Sequence, residues 1–165
     1  MHRAGIHPAT HPLADRPPAT RRLKAGTTTF TAAELAYLRE QPIGRLSTVG
    51  RDGDPQIRPV GVHLSPDGAG IDIVGHALAS TQKWRNVLRN PQVAFIVDTV
   101  LSVRPPDARG IEIRGTATAL SGAGTTDGGL SGDIIRIAPR RIISWGLDGV
   151  GTTARDWTES PHTTD

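Results

Sequence analysis

The sequence predicts an all-β domain with two flanking helices, in which about six mostly antiparallel strands close into a barrel. Three observations point there. Apolar and polar residues alternate along short runs separated by hairpin-type turns, the pattern of half-buried strands. The composition, 19 glycines and 13 prolines with 4% aromatics in 165 residues, suits a turn-rich β protein and argues against a helical bundle. Short antiparallel strands joined by tight turns lose their open edges most readily by closing into a barrel. The length fits one domain that buries roughly 70% of its unfolded surface.

Residues 1–29 lack apolar periodicity and are rich in Pro, Thr and Arg, so a loose or disordered arm is expected; His2, His7 and His11 read as tail residues rather than a metal site. "TAAELAYLREQP" opens a short helix. Thr31 is a good N-cap, Glu34 completes a capping box, Leu35 and Leu38 give the apolar face, and Pro42 ends the helix. "IGRLSTV" (43–49) and "QIRPVGVHL" (56–64) are strands joined at the turn Asp52-Gly53. Pro59 has no N–H to donate, which makes the second strand an edge or a bulged strand, and a second copy of the chain is expected to cover it. "GIDIVG" (70–75) is the third strand. A helix follows in "STQKWRNVLRN", capped by Ser80 or Thr81, with Trp84, Val87 and Leu88 toward the core and Asn90-Pro91 as its stop. "QVAFIVD" (92–98) is apolar on both faces and therefore central. Residues 99–108 read as a connecting loop, 109–120 as a long strand with Ile111 and Ile113 inward, and 121–132 as a flexible low-complexity loop. "DIIRIAPRRIISWGL" (133–147) is the last long strand, with a break expected at Pro139. Residues 148–165 read as a loose tail, leaving 30–147 as the ordered domain.

Several function classes recede on composition. With no cysteine there is no disulfide framework, thiolate metal site or cysteine nucleophile. The net charge of +3 is mild and the arginines are dispersed, unlike the stripe of a nucleic-acid binder. No segment has signal-peptide or membrane-span character, so a cytoplasmic protein is expected. No Ser-His-Asp pattern, P-loop, dinucleotide fingerprint or paired carboxylates stand out. His63 and His76, at strand ends, have the chemistry of a general acid, but a lone histidine at a strand end reads first as a surface residue, and neither is assigned a role.

One stretch does carry chemistry. In "ASTQKWRNVLRNPQVAF", Lys83 is one of only two lysines, with Lys24, and sits in the first turn of a helix. A lysine there opposes the helix dipole at a cost of up to about 1 kcal/mol, unless an anion occupies the helix start. Ser80 and Thr81 add hydroxyls. Arg58 lies mid-strand in an apolar run, and if the third strand returns beside the second, Arg58 and the helix start converge on a phosphate site. The alternative is a solvated helix face.

Taken in order, "IGRLSTVGRDGDPQIRPVGVHL", "GIDIVG", "STQKWRNVLRNPQVAFIVD" and "RGIEIRGTATAL" resemble the pyridoxamine-phosphate-oxidase-like family of flavin- and deazaflavin-binding split barrels. The resemblance covers about residues 30–147. It implies a homodimer of six-stranded antiparallel split barrels with cofactor in clefts at the subunit interface. Arg58 and the residues entering the helix, Ser80, Thr81, Gln82 and Lys83, would hold the cofactor phosphate, and the backbone of Pro59, Val60 and Gly61 would line its ring. The oxidase branch has arginine at the position of Gln82 and lysine at that of His63. Both departures favour the branch that uses the deazaflavin coenzyme F420 over an FMN enzyme. The ending "IIRIAPRRIISWGL" is similar to a subgroup of that branch that includes a reductase of tetracycline biosynthesis; there Trp145 would wall the cleft, with a core aromatic near the barrel rim as the alternative. The activity implied is hydride transfer to an electron-poor C=C or C=N of a small molecule, with a tetracycline precursor as one candidate; an FMN oxidoreductase or a non-catalytic binder on the same fold are the other readings.

Overall fold

The computed structural model describes residues 29–149 and 151–156. Helix α1 (Ala32–Glu40) begins as its sequence dictates: the Thr31 hydroxyl accepts from the Glu34 amide at 3.2 Å, and the Glu34 carboxylate accepts from the Thr31 amide at 2.9 Å. It stops where Gln41 turns extended before Pro42. The strands β1 (Ile43–Val49), β2 (Pro55–Gly61), β3 (His63–Leu64), β4 (Ile71–Ile73), β5 (Gln92–Val103), β6 (Pro106–Leu120), β7 (Ile134–Trp145) and β8 (Thr152–Asp156) pair in the order β2-β1-β5-β6-β7-β4-β3, with β8 added to β7. Every pairing is antiparallel.

The order explains the barrel. The two margins of the sheet, β2 and β3, are consecutive in the chain and separated by Val62 alone. A sheet whose opposite margins are joined by one residue must curl until they meet, and it does so as a split barrel. Alternation decides what fills it. Leu46, Phe95, Val97, Ile111, Ile113, Ile135, Ile137 and Ile142 point inward and are almost completely buried. Helix α2 (Gln82–Arg89) lies against the barrel with Trp84 and Val87 buried.

Several expectations need correction. The predicted second strand is two strands, because the chain leaves β1 after Gly61 and pairs with β4 from His63. Leu88 does not face the core; it is 67% exposed, and the buried positions of α2 are Trp84, Asn86 and Val87. Residues 99–108 are no loop but the far end of the β5–β6 hairpin. Residues 121–132 contain a 3-10 turn at Asp127–Gly129, and the loop is pinned by Ser131 N–H to Gly75 O and by a His76 ring nitrogen to Gly129 O. Pro139 does not break β7, which instead carries an extra residue, Arg140, where the register to β6 shifts.

The tail reading also changes. Residues 152–156 form β8, and Arg155 donates to both oxygens of the fully buried Glu34 and to the Thr29 carbonyl. Thr29, assigned to the arm from sequence, is itself buried. The remainder of the arm, with His2, His7 and His11, and residues 157–165 lie outside the described residues.

Candidate functional site

Pro59 does place its strand at an edge: β2 is a margin of the sheet. The β1–β2 register is held by Gly50 N–H to Asp54 O and Val62 N–H to Pro42 O, which makes the even-numbered residues of β2 the hydrogen-bonded ones. Arg58 and Val60 therefore bond to β1, while the backbone groups of Ile57, Pro59 and Gly61 point to the open side. Pro59 forfeits no ladder bond. The open side presents the Gly61 N–H and the Pro59 and Gly61 carbonyls.

Side chains on β2 alternate accordingly. Gln56, Arg58 and Val60 share the inward face with their partners Thr48, Leu46 and Gly44. Val60 is buried; Arg58, nearer the open end, is exposed, and its Nη1 donates to the Ile57 carbonyl at 2.9 Å.

Asn86 holds α2 over this face. Its Nδ2 donates to Thr48 Oγ1 at 2.9 Å and to Gln56 Oε1 at 3.0 Å; its Oδ1 accepts from Gln82 at 2.8 Å and Arg89 at 3.0 Å. Asn86 is completely buried, so these bonds fix the helix on β1 and β2. One helical turn before Asn86 is Lys83; two residues beyond Gln56 is Arg58. The same contact thus brings Lys83 toward Arg58. Burial, and after it the positive charge of Arg58, hold the Lys83 ammonium below the usual lysine range. Among the described residues neither cation forms an ion pair with a carboxylate.

The helix entrance is partly self-satisfied. Thr81 is the N-cap: its hydroxyl accepts from Trp84 N–H and donates to Leu78 O at 2.6 Å. The Ser80 hydroxyl donates to Ala77 O at 2.8 Å within the 3-10 turn Leu78–Ser80. The Arg85 amide reaches Thr81 O. The amides of Gln82 and Lys83 remain for an outside acceptor. The Gln82 side chain is held along the helix by Arg85 and Asn86. Arg58, Lys83 and the start of α2 therefore come together, with the open edge at Pro59 and Gly61 beside them.

Trp145 does not join them within one chain. It lies on the outward face at the end of β7, its ring packed over Gly110, four strands away from β2 or roughly 19 Å along the sheet. A cavity of about 550 Å³ between the turn at Ser65–Gly70 and Arg136–Arg140 of β7 lies apart from the two cations. Sequence reasoning passed over Asn86; its one signal was a polar residue at an inward position of an amphipathic helix. Among the described residues no cluster of side chains suits a metal ion, and no helix is long and apolar enough to cross a membrane.

Comparison with known proteins adds a frame. The family model for pyridoxamine 5′-phosphate oxidase matches residues 30–145. A 5a,11a-dehydrotetracycline/5a,11a-dehydrooxytetracycline reductase of Streptomyces rimosus is 41% identical over 133 residues, which cover 78% of this chain and 94% of the reductase. Among solved structures, a conserved hypothetical protein of Mycobacterium tuberculosis superposes with a TM-score of 0.57 at 21% identity, covering 73% of this chain and 88% of its own. An F420 reductase superposes with a TM-score of 0.50 at 24% identity, covering 64% and 93%.

Proposed function

The chain belongs to the pyridoxamine 5′-phosphate oxidase family, and from that premise we propose that it is a reductase using coenzyme F420 to reduce an electron-poor C=C or C=N of a small molecule. One observation carries the reading: Arg58 and Lys83 converge at the start of α2 with no carboxylate partner among the described residues. Two facing cations and two open amides are a site for a phosphate, which would offset their repulsion. The donor set therefore fits the phosphate of a flavin-type cofactor.

The open edge of β2 suits the rest of such a group. A planar ring bearing an imide has both donors and acceptors on its rim. The Gly61 N–H and the Pro59 and Gly61 carbonyls supply their complements, while Val60, anchored in the core, keeps this backbone in place. When bound in its reduced form, a deazaflavin supplies the hydride. The chain's own residues bind the phosphate, orient the ring and exclude water. Gln82, tied to Arg85 and Asn86, adds no charge to the site, in keeping with F420 in place of FMN.

The named relative is a reductase, which supports an oxidoreductase here and makes a dehydrotetracycline-like polycycle a candidate substrate. The reading is of a cytoplasmic homodimer. Ile43 and Ile57, 54% and 57% exposed, lie with Pro59 on the outward face of β1 and β2, and a second copy would cover them. In that arrangement Trp145 enters a cofactor cleft only from the partner's side.

Parallel fluorescence titrations with F420 and FMN test the proposal. Tighter binding of F420 is expected. Tighter binding of FMN moves the protein to the flavin-dependent reading, binding without turnover of any enone leaves a carrier, and binding of neither refutes the phosphate site.

A further inference from the structure

We infer that His63 donates the proton of the reduction, and that the reduced C=C is conjugated to a carbonyl whose oxygen receives it. This rests on the cofactor reading above. His63 lies one residue past Val62, where the chain passes from the open edge of β2 to β4. Its imidazole folds back over Gly61: a Cβ on that glycine would fall 2.9 Å from His63 Nε2. Glycine at 61 thus does two things. It leaves its N–H and C=O facing the open edge, and it clears the space in which the imidazole sits beside them.

The ring is exposed and forms no hydrogen bond with any described residue, whereas His76, the other described histidine, is engaged with Gly129 O at 2.8 Å. Among the described residues beside His63 on β2 and β4, no competing donor is at hand. The outward positions of β2 are Pro55, Ile57, Pro59 and Gly61, none with a dissociable proton. Asp72, opposite His63 on β4, accepts from Nε and Nη2 of Arg136, one on each carboxylate oxygen. Imidazole is also the side chain best suited to give up and regain a proton near neutrality.

The step balances. Hydride from the reduced deazaflavin adds to the carbon β to the carbonyl. The C=C pair becomes the bond between the α carbon and the carbonyl carbon, the C=O π pair moves onto oxygen, and that oxygen takes the proton as the imidazolium N–H bond breaks; the enol so formed tautomerises to the saturated ketone in water. Water then reprotonates the imidazole. An isolated alkene offers no oxygen to receive that proton, so the conjugated ketone is the substrate class.

The test uses the full chain, a polycyclic enone and the variants His63→Ala and His63→Asn. F420 dissociation constants are read by fluorescence, kcat by oxidation of the reduced cofactor, and rescue by added imidazole. Cofactor affinity within about twofold of wild type, a kcat loss of roughly 100-fold or more, and partial recovery of His63→Ala by imidazole are expected. A kcat loss below about threefold overturns the assignment and leaves the proton to solvent. A joint loss of affinity and kcat without rescue overturns it in favour of a structural role. A wild-type protein that fails to bind F420 overturns the cofactor reading itself.

Discussion

Arg155→Ala should cost about 3 kcal/mol of folding stability, and the pH dependence of that loss should reveal its origin. Glu34 is completely buried, and Arg155 binds both of its oxygens from a side chain one-third exposed. Burial, the largest single influence on Glu34, pushes its pKa up; the Arg155 guanidinium, the Thr31 amide and Ser144 together pull it below the usual glutamate value. Breaking a buried pair from one side costs about 3–5 kcal/mol, because the remaining charge is left without its partner. The partial exposure of Arg155 and the surviving Thr31 amide put this case at the lower end. In a domain of this size that lowers Tm by about 10 °C. In the wild type, the depressed Glu34 pKa adds stability that is present above the unfolded value and lost as pH falls through the folded one, below about 4.5. Without Arg155, burial is opposed only by the Thr31 amide and Ser144, so the folded-state pKa of Glu34 rises above its wild-type value, and the deficit shrinks as pH falls from 7 toward the carboxylate range. Urea denaturation of both proteins across that range is the assay. A loss under about 1 kcal/mol, or a deficit independent of pH, refutes the reasoning. The double change Glu34→Gln with Arg155→Leu should recover part of the loss, since it leaves no orphaned charge.

Three other outcomes are expected. Lys83→Ala and Arg58→Ala should each weaken F420 binding by about 1.5–3 kcal/mol, while Arg89→Ala, whose side chain turns to Val49 O and Asn86, should not; isothermal titration measures all three. Affinity for the phosphate-bearing cofactor should decline with rising pH earlier than an ordinary lysine would dictate, because the Lys83 pKa is lowered, and Lys83→Arg should flatten that decline. Asn86→Leu should cost about 2 kcal/mol or more by leaving Thr48 and Gln56 short of a donor, and should weaken cofactor binding as well, because the same bonds carry Lys83 to Arg58; thermal unfolding and titration report the two effects separately.

Local chemistry made the elements legible wherever it was decisive. Thr31 and Glu34 define the start of α1, Pro42 its end, and Pro59 an edge strand, because each acts through its own backbone or that of a residue three away. The β5–β6 hairpin beyond Asp98 was hidden: Val100, Leu101 and Val103 are apolar yet exposed, so no alternation marks them, and the strands are stabilised by pairing. β8 is short and polar; it pairs with β7 and is tied by Arg155 to Glu34, 121 residues earlier in the chain, a contact that no window of sequence contains. Leu88 fits the helical spacing but not the direction of burial, which Asn86 takes in its place for the sake of hydrogen bonds. For the site, the residue types at Arg58 and Lys83 signalled an anion. Their convergence depends on how Asn86 seats a helix on two strands, a tertiary fact. Trp145 was placed by similarity of its segment, and within one chain the sheet carries it to the other side.

The single residue Val62 between the margins of the sheet has a consequence for self-association. A strand with unpaired backbone groups ordinarily invites another chain to extend the sheet, the first step toward aggregates. Here the gap facing β2 is bounded on both sides by one continuous stretch of chain, which tethers its two walls at Val62. Pro59 also withholds the donor that an incoming strand would need at the middle of the run. The opening therefore disfavours sheet extension by an added strand, and the same narrow edge is where the proposed planar ring would lie.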